Sequence, residues 1–235
     1  TILLIFAGAS AEFALNKAVD WLYFTGKLPK DPLGRLFSTV NYAREIVFAD
    51  RNSAINAIER MNTIHSSVEN NRGKNIPAWA YRDVLFMLID YSIRSFEILE
   101  RPLKIAEKEE VFDVFSRLGE HMHLKDLPEN YEKYLKMRDS HLEQHLYYGD
   151  YTRDLYKQYR KNLGWVRYKL LLESQTMIVP KKVRHYLSFR RFSLINPFIK
   201  VFKISRKIKL DLILKELILP SNYKKDIKNM DRATI

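Results

Sequence analysis

Apolar residues recur at helical spacing along nearly the whole chain, and no stretch alternates with period two for long enough to predict a β-sheet. Proline falls repeatedly where a first helical turn would begin, as at Pro32, Pro77 and Pro128. The 7 glycines and 8 prolines are too few for a turn-dense β architecture. The pattern therefore predicts an all-α, multi-helix single domain, with helices over residues 8–24, 32–48, 53–71, 77–99, 106–121, 128–146, 151–162, 163–177, 180–191 and 197–218.

Charge is distributed unevenly along the chain, whose formal net charge is +12. Residues 153–235 contain 21 Lys and Arg against 6 Asp and Glu, whereas residues 1–152 contain 19 against 22. The composition is 46% hydrophobic, which is enough for one sizeable core. We therefore expect a helical domain over residues 1–192 and a basic amphipathic extension over residues 193–235.

The extension mixes apolar and basic residues over 194–219, a pattern typical of a segment that lies on an anionic membrane surface. The alternative is a helix that packs on the domain and turns its basic face to water. The first reading predicts peripheral membrane contact, and the second predicts none.

The chain has no cysteine, which excludes disulfides, cysteine-ligated zinc, iron–sulfur clusters and cysteine nucleophiles. It also lacks a phosphate-binding loop and a dinucleotide fingerprint. The apolar run from Ile2 to Ala11 is about half the length of a membrane span and has no basic leader, so no signal peptide is predicted. These features favour a cytoplasmic protein, and peripheral membrane association through the extension is the alternative to a segment that packs on the domain.

Tyrosines and Trp165 are interleaved with Lys and Arg over residues 147–169, a composition that can bind single-stranded nucleic acid. The aromatic residues fall near helical periods, which favours packing in the core instead. No nucleic-acid partner is therefore expected.

The helix predicted over 53–71 carries a histidine on its apolar stripe. A buried neutral imidazole needs a partner for at least one ring nitrogen, and either a backbone carbonyl or a metal can supply it. The spacing therefore predicts an inward-facing His65. The stripe consists of Ala54, Ile58, Met61, Ile64, His65 and Val68.

On the preceding predicted helix, Arg35 and Thr39 are four residues apart and share one face at the edge of an apolar stripe. A guanidinium in that position needs an anion. The anion is either a carboxylate, from Glu12, Asp83 or Asp90, or a haem propionate or reduced oxygen species. Spacing alone leaves these alternatives open.

His141 and His145 are also four residues apart on one helical face and could bind a metal. No Glu follows His141 directly, as a zinc-protease motif requires. A solvated helix face is the favoured interpretation of this pair.

Several segments together resemble the MpaB-type oxygenases, a family that includes the rubber oxygenases or latex-clearing proteins. The resemblance covers about residues 5–165 and depends on the order and spacing of its motifs. These are Pro32–Thr39 (PLGRLFST), Ile46–Phe48 (IVF), Ile64–Val68 (IHSSV), Trp79–Val84 (WAYRDV) and Leu127–Pro128.

The resemblance implies an all-helical fold with a globin-like haem-binding core. The family's motif histidine, the proximal ligand of haem b iron, falls on His65, and its pocket arginine and threonine fall on Arg35 and Thr39. A single imidazole ligand leaves the opposite face of the iron open for dioxygen. The implied function is a haem-dependent oxygenase that acts on a small apolar substrate.

Three positions depart from the family pattern. Ser38 stands where rubber-cleaving members typically carry Lys, and Glu69 and Asn70 replace the glycine usual after the motif histidine. The Trp-Val-His stretch that often follows the Tyr-x-Asp element is also missing, and Met87–Tyr91 occupies its place. These departures argue against polyisoprene as the substrate. The alternative to an oxygenase is a non-catalytic helical module that docks on membranes through its basic extension.

The charge distribution gives a first testable prediction. The chain should bind vesicles that contain anionic lipid, and binding should weaken as salt screens the attraction. A chain ending at residue 193 should lose this binding, as measured by vesicle co-sedimentation. Equal sedimentation of both chains would contradict the assignment of membrane contact to residues 194–219.

Overall fold

The computed structural model describes residues 2–26, 42, 46, 49–197 and 199. Regular structure within these residues is helical, and one isolated bridge joins Asn16 to Leu146. The prediction of an all-α fold is therefore confirmed for this part of the chain. Its helices are α1 (Ile2–Phe13), α2 (Val19–Phe24), α3 (Arg51–Arg72), α4 (Ala78–Leu99), α5 (Ile105–His121), α6 (Tyr131–Gln144), α7 (Asp150–Ile178) and α8 (Lys181–Tyr186).

Helix α4 occupies the centre of the described fold and packs against α1, α5, α6 and α7. It is buried on more than one side, because its partners cover different faces. One face of α4 packs against α1 and the C-terminal end of α7, in a core around Met87 and Tyr91. Another packs on α5 and α6 around Phe86 and Ile89, where the ring of Tyr134 meets that of Phe86 edge to face.

Helix α3 has well-formed ends but shallow burial. Asp50 caps it by accepting hydrogen bonds from the backbone N–H groups of Asn52 and Ser53, and Gly73 ends it in the left-handed conformation at φ 67°. The helix predicted over 53–71 is thus confirmed within two residues at each end. Of its 22 residues, only Ala57 and Ile58 are buried.

The single helix predicted over 8–24 is wrong, because the chain breaks between α1 and α2. Asn16 is buried at the break, and its side-chain oxygen accepts a hydrogen bond from the backbone N–H of Ala18. The backbone on either side pairs with the end of α6, where Lys17 donates to the carbonyl of His145. A short amide side chain that bonds its own backbone competes with helix formation, so periodicity alone missed this break.

Gly164 interrupts α7 with φ 71° and ψ 173°, which agrees with the boundary predicted between the helices over 151–162 and 163–177. The helices predicted over 32–48 and 197–218 lie almost entirely outside the described residues. The proposed division at residues 192 and 193 stays a prediction. None of the described helices combines the length and apolar character needed to cross a membrane.

Close contact between α1 and α4 gives a second prediction. A Cβ on Gly8 would lie 2.2 Å from the buried ring of Tyr91, so Gly8→Ala should destabilise the fold by roughly 1–3 kcal/mol. Urea unfolding followed by circular dichroism measures this cost.

Gly149→Ala is the matched control, because its Cβ would also meet a tyrosine ring, at 2.5 Å. That ring belongs to the exposed Tyr147 and can rotate away, so the remaining cost is the loss of glycine at the N-cap of α7 and should stay below about 1 kcal/mol. Equal costs for the two variants would contradict the importance of the Gly8 contact.

Candidate functional site

Ionisable side chains are buried together where α1, α4 and α6 meet. Glu12 from α1, Asp83 from α4, and Arg138 and His141 from α6 are each at most 4% exposed. Isolated charges are very costly to bury, so such groups must compensate one another or bind an ion. Their contacts define the candidate site.

Arg138 and Glu12 form the centre of this cluster. One guanidinium nitrogen, Nη2, donates to Glu12 Oε2 at 2.6 Å, and Nη1 donates to the other carboxylate oxygen. Nη2 also donates to Asp90 Oδ2 at 2.8 Å, and the hydroxyl of Tyr91 donates to Glu12 Oε2 at 2.7 Å. The two-pronged geometry fixes both side chains in one arrangement.

This pairing determines the ionisation of Glu12. Burial alone raises the pKa of its carboxyl, but the charge and hydrogen bonds of Arg138 outweigh burial and hold that pKa far below its ordinary range. Glu12 is therefore a carboxylate. Burial, and then the neighbouring Glu12 charge, raise the pKa of Tyr91 well above its ordinary value, so Tyr91 stays a hydrogen-bond donor.

His141 lies between two carboxylates. Its Nδ1 is 2.6 Å from Asp83 Oδ1, and its Nε2 is 2.9 Å from Glu12 Oε1. Neither oxygen lies along an N–H direction of the ring well enough to form an ideal hydrogen bond, although both contacts are short. Burial lowers the pKa of His141, but the two carboxylates outweigh it and raise that pKa overall.

His145, the residue that directly follows α6, contacts the carboxylate of Asp83 as well. Its Nδ1 is 2.8 Å from Asp83 Oδ2, which also accepts a hydrogen bond from the side-chain amide of Asn16. The ring of Trp79 packs on His145 at a centroid distance of 4.4 Å. Potential ligand atoms of Asp83, His141 and His145 therefore all lie within 4.8 Å of one another.

A cavity of about 250 Å³ opens beside these three residues. It combines the polar edges of the cluster with apolar and aromatic walls, so a small molecule there would contact both. Its lining consists of Trp79, Arg82, Asp83, Phe86, Met137, Ser140, His141, Gln144 and His145.

Comparison with protein families assigns a reaction class to the chain. Residues 4–199 match the family model described as "ER-bound oxygenase mpaB/B'/Rubber oxygenase, catalytic domain". The chain belongs to this oxygenase family. No curated protein and no solved structure matches the chain significantly.

The family's Tyr-x-Asp element connects two regions of this oxygenase domain. Tyr81 and Asp83 are two residues apart on α4 and therefore point to different sides of the helix. Asp83 faces His141 on α6 and His145 just after it. Tyr81 faces α3, where its ring lies edge-on to that of His65 at a centroid distance of 5.0 Å and its hydroxyl donates to Glu69.

The site residues predicted for an oxygenase are located as follows. His65 is half-buried, and its Nδ1 atom is buried. Along the predicted stripe Ile58 is buried, but Ile64 is exposed at 38%, so the inward face of α3 is narrower than its sequence predicts. Arg35 and Thr39 lie outside the described residues.

Long-range contacts of the cluster were not predicted from the sequence. The interpretation of His141 and His145 as a solvated face is wrong at His141, which is 2% exposed. Arg138 was not singled out, although it engages Glu12 and Asp90, two of the carboxylates considered for Arg35. A signal was available, because Glu12 lies within an otherwise apolar segment and a charge there requires a partner.

The central ion pair gives a third prediction. Arg138→Met leaves Glu12 buried without its main partner and should cost roughly 3–5 kcal/mol of unfolding free energy. Adding Glu12→Gln to Arg138→Met should cost less than the sum of the single changes. Urea unfolding of the three variants measures this coupling.

Lys136→Met on the same helix is the control, since its ion pair with Glu132 is more than 70% exposed on both sides. It should change stability by less than about 1 kcal/mol. A similar cost at both positions would show that the buried pair does not hold α1 against α6.

Proposed function

We propose that this protein is a haem b-dependent oxygenase in which His65 binds the iron and the substrate is a small apolar organic molecule. Membership of the family supports the reaction class. The surroundings of His65 carry the proposal: a half-buried ring on α3, a buried Nδ1, and Tyr81 against one ring edge. A metal-ligating histidine gives one ring nitrogen to the metal, and the protein typically holds the other.

The face of α3 around His65 suits a flat apolar group. Ala54, Met61 and Val68 are only half-buried, and Ile64 is 38% exposed. Covering such side chains with a porphyrin would remove apolar surface from water, at about 25 cal/mol for each Å². The cavity beside Asp83 is smaller than the roughly 300–1,000 Å³ typical of pockets for drug-sized ligands, so it does not suit a porphyrin.

Haem, when bound, supplies the dioxygen chemistry, and the protein supplies binding, orientation and exclusion of water. We assign Arg35 and Thr39 to the proposed haem site, on the side where dioxygen and substrate would bind, as the family motif implies. Arg35 would provide a fixed positive charge and Thr39 a hydroxyl donor where negative charge develops during the reaction. Tyr81, held by Glu69, would fix the orientation of the His65 ring.

A visible spectrum tests the role of His65. The full chain, produced with ample haem, should show a Soret band, and His65→Ala should lose most of it because the residue proposed to hold the haem is gone. Free imidazole should restore part of the band to His65→Ala. Circular dichroism verifies that the variant is folded.

The control is His121→Ala, an exposed histidine on α5, which should keep the Soret band at full strength. Two outcomes would reject the haem assignment. One is a colourless wild-type protein despite haem supply, and the other is a folded His65→Ala variant with an unchanged band.

A further inference from the structure

We propose that Asp83, His141 and His145 form a second metal site, which binds one divalent transition-metal ion independently of haem. Two imidazoles and one carboxylate are the ligand set that non-haem iron(II) sites use, and the same set also accepts zinc and cobalt. Asp83 lies on α4, His141 lies on α6 and His145 directly follows α6, whereas His65 lies on α3.

Distances within the triad already suit an ion. Ligand atoms about 2.1 Å from a metal, at roughly right angles, are about 3 Å apart. The nitrogen–oxygen separations are 2.6 Å for His141 Nδ1 and 2.8 Å for His145 Nδ1, each to a different oxygen of Asp83. The three potential ligand atoms lie within 4.8 Å of one another, so inward shifts of these side chains would bring them around one ion.

The surrounding contacts match those of a metal-ligating histidine. If His141 binds through Nδ1, its Nε2 faces Glu12, the carboxylate that typically holds the second nitrogen of such a ligand. Arg138 and Tyr91 hold Glu12 in turn. The contacts of His141 with both carboxylates depart from ideal hydrogen-bond alignment, so neither ring nitrogen is committed to a well-aligned hydrogen bond.

The other two ligands are held in a similar way. The amide of Asn16 donates to Asp83 Oδ2 at 3.1 Å, and the ring of Trp79 covers one face of His145. All three ligands line the cavity of about 250 Å³. The cavity leaves room for water or a small ligand in the remaining coordination positions, which is the arrangement of an open site and not of a closed structural one.

Cobalt(II) is a direct probe, because its visible absorption reports nitrogen and oxygen coordination. The full chain, freed of metal with a chelator, should bind one equivalent of Co²⁺ and unfold at a higher temperature when Co²⁺ is present. Mg²⁺ prefers all-oxygen sites and should have neither effect. His145→Ala should weaken Co²⁺ binding at least about 100-fold.

His145 is the informative position, because its side chain is 21% exposed and its removal leaves the Arg138–Glu12 pair intact. His121→Ala is the control and should bind Co²⁺ like the wild type. The haem and metal assignments separate in two variants: His65→Ala should keep Co²⁺ binding, and His145→Ala should keep the Soret band. The proposal is overturned if Co²⁺ does not bind, if His145→Ala binds it equally well, or if His65→Ala is the variant that loses it.

Discussion

The two-pronged contact between Arg138 and Glu12 determines how the described helices fit together. A buried carboxylate at this position requires the guanidinium, so α1 can pack beside α6 in only one register. In that register Glu12 contacts Nε2 of His141, and Asp83 contacts Nδ1 of the same ring. The ion pair therefore arranges the triad as well as the core, and the proposed metal site depends on it without including it.

Helix α4 divides the described fold into two chemical environments. On one side Asp83 meets two histidines beside a small cavity, and on the other Tyr81 meets His65 on a helix with few buried residues. Different sides of the same helical turn serve the two regions. A short family motif can therefore influence both, and a change at Tyr81 need not disturb the carboxylate two residues later.

Sequence periodicity predicted most of the helices, because helical hydrogen bonds and apolar stripes are local properties. It failed at Asn16, where side-chain bonding and a bridge to Leu146 replace the helix. It also failed at His141, whose burial depends on Glu12 and Asp83, residues more than fifty positions away. The spacing of residues within one helix cannot reveal which side chains of other helices surround a residue such as His141. The resemblance to the oxygenase family was confirmed, because ordered motifs carry information that periodicity lacks.

Stability alone does not account for the cluster. Well-packed apolar side chains of similar volume are often as stabilising as a buried ion pair or more so, and an open cavity removes packing contacts. Here three carboxylates, an arginine and two histidines occupy space next to the Phe86 core, and a cavity of about 250 Å³ adjoins them. Charge pairing explains Arg138 and Glu12. Contacts with the two oxygens of Asp83 place both imidazoles at the cavity wall, where the proposed ion and its remaining ligands would occupy the open space.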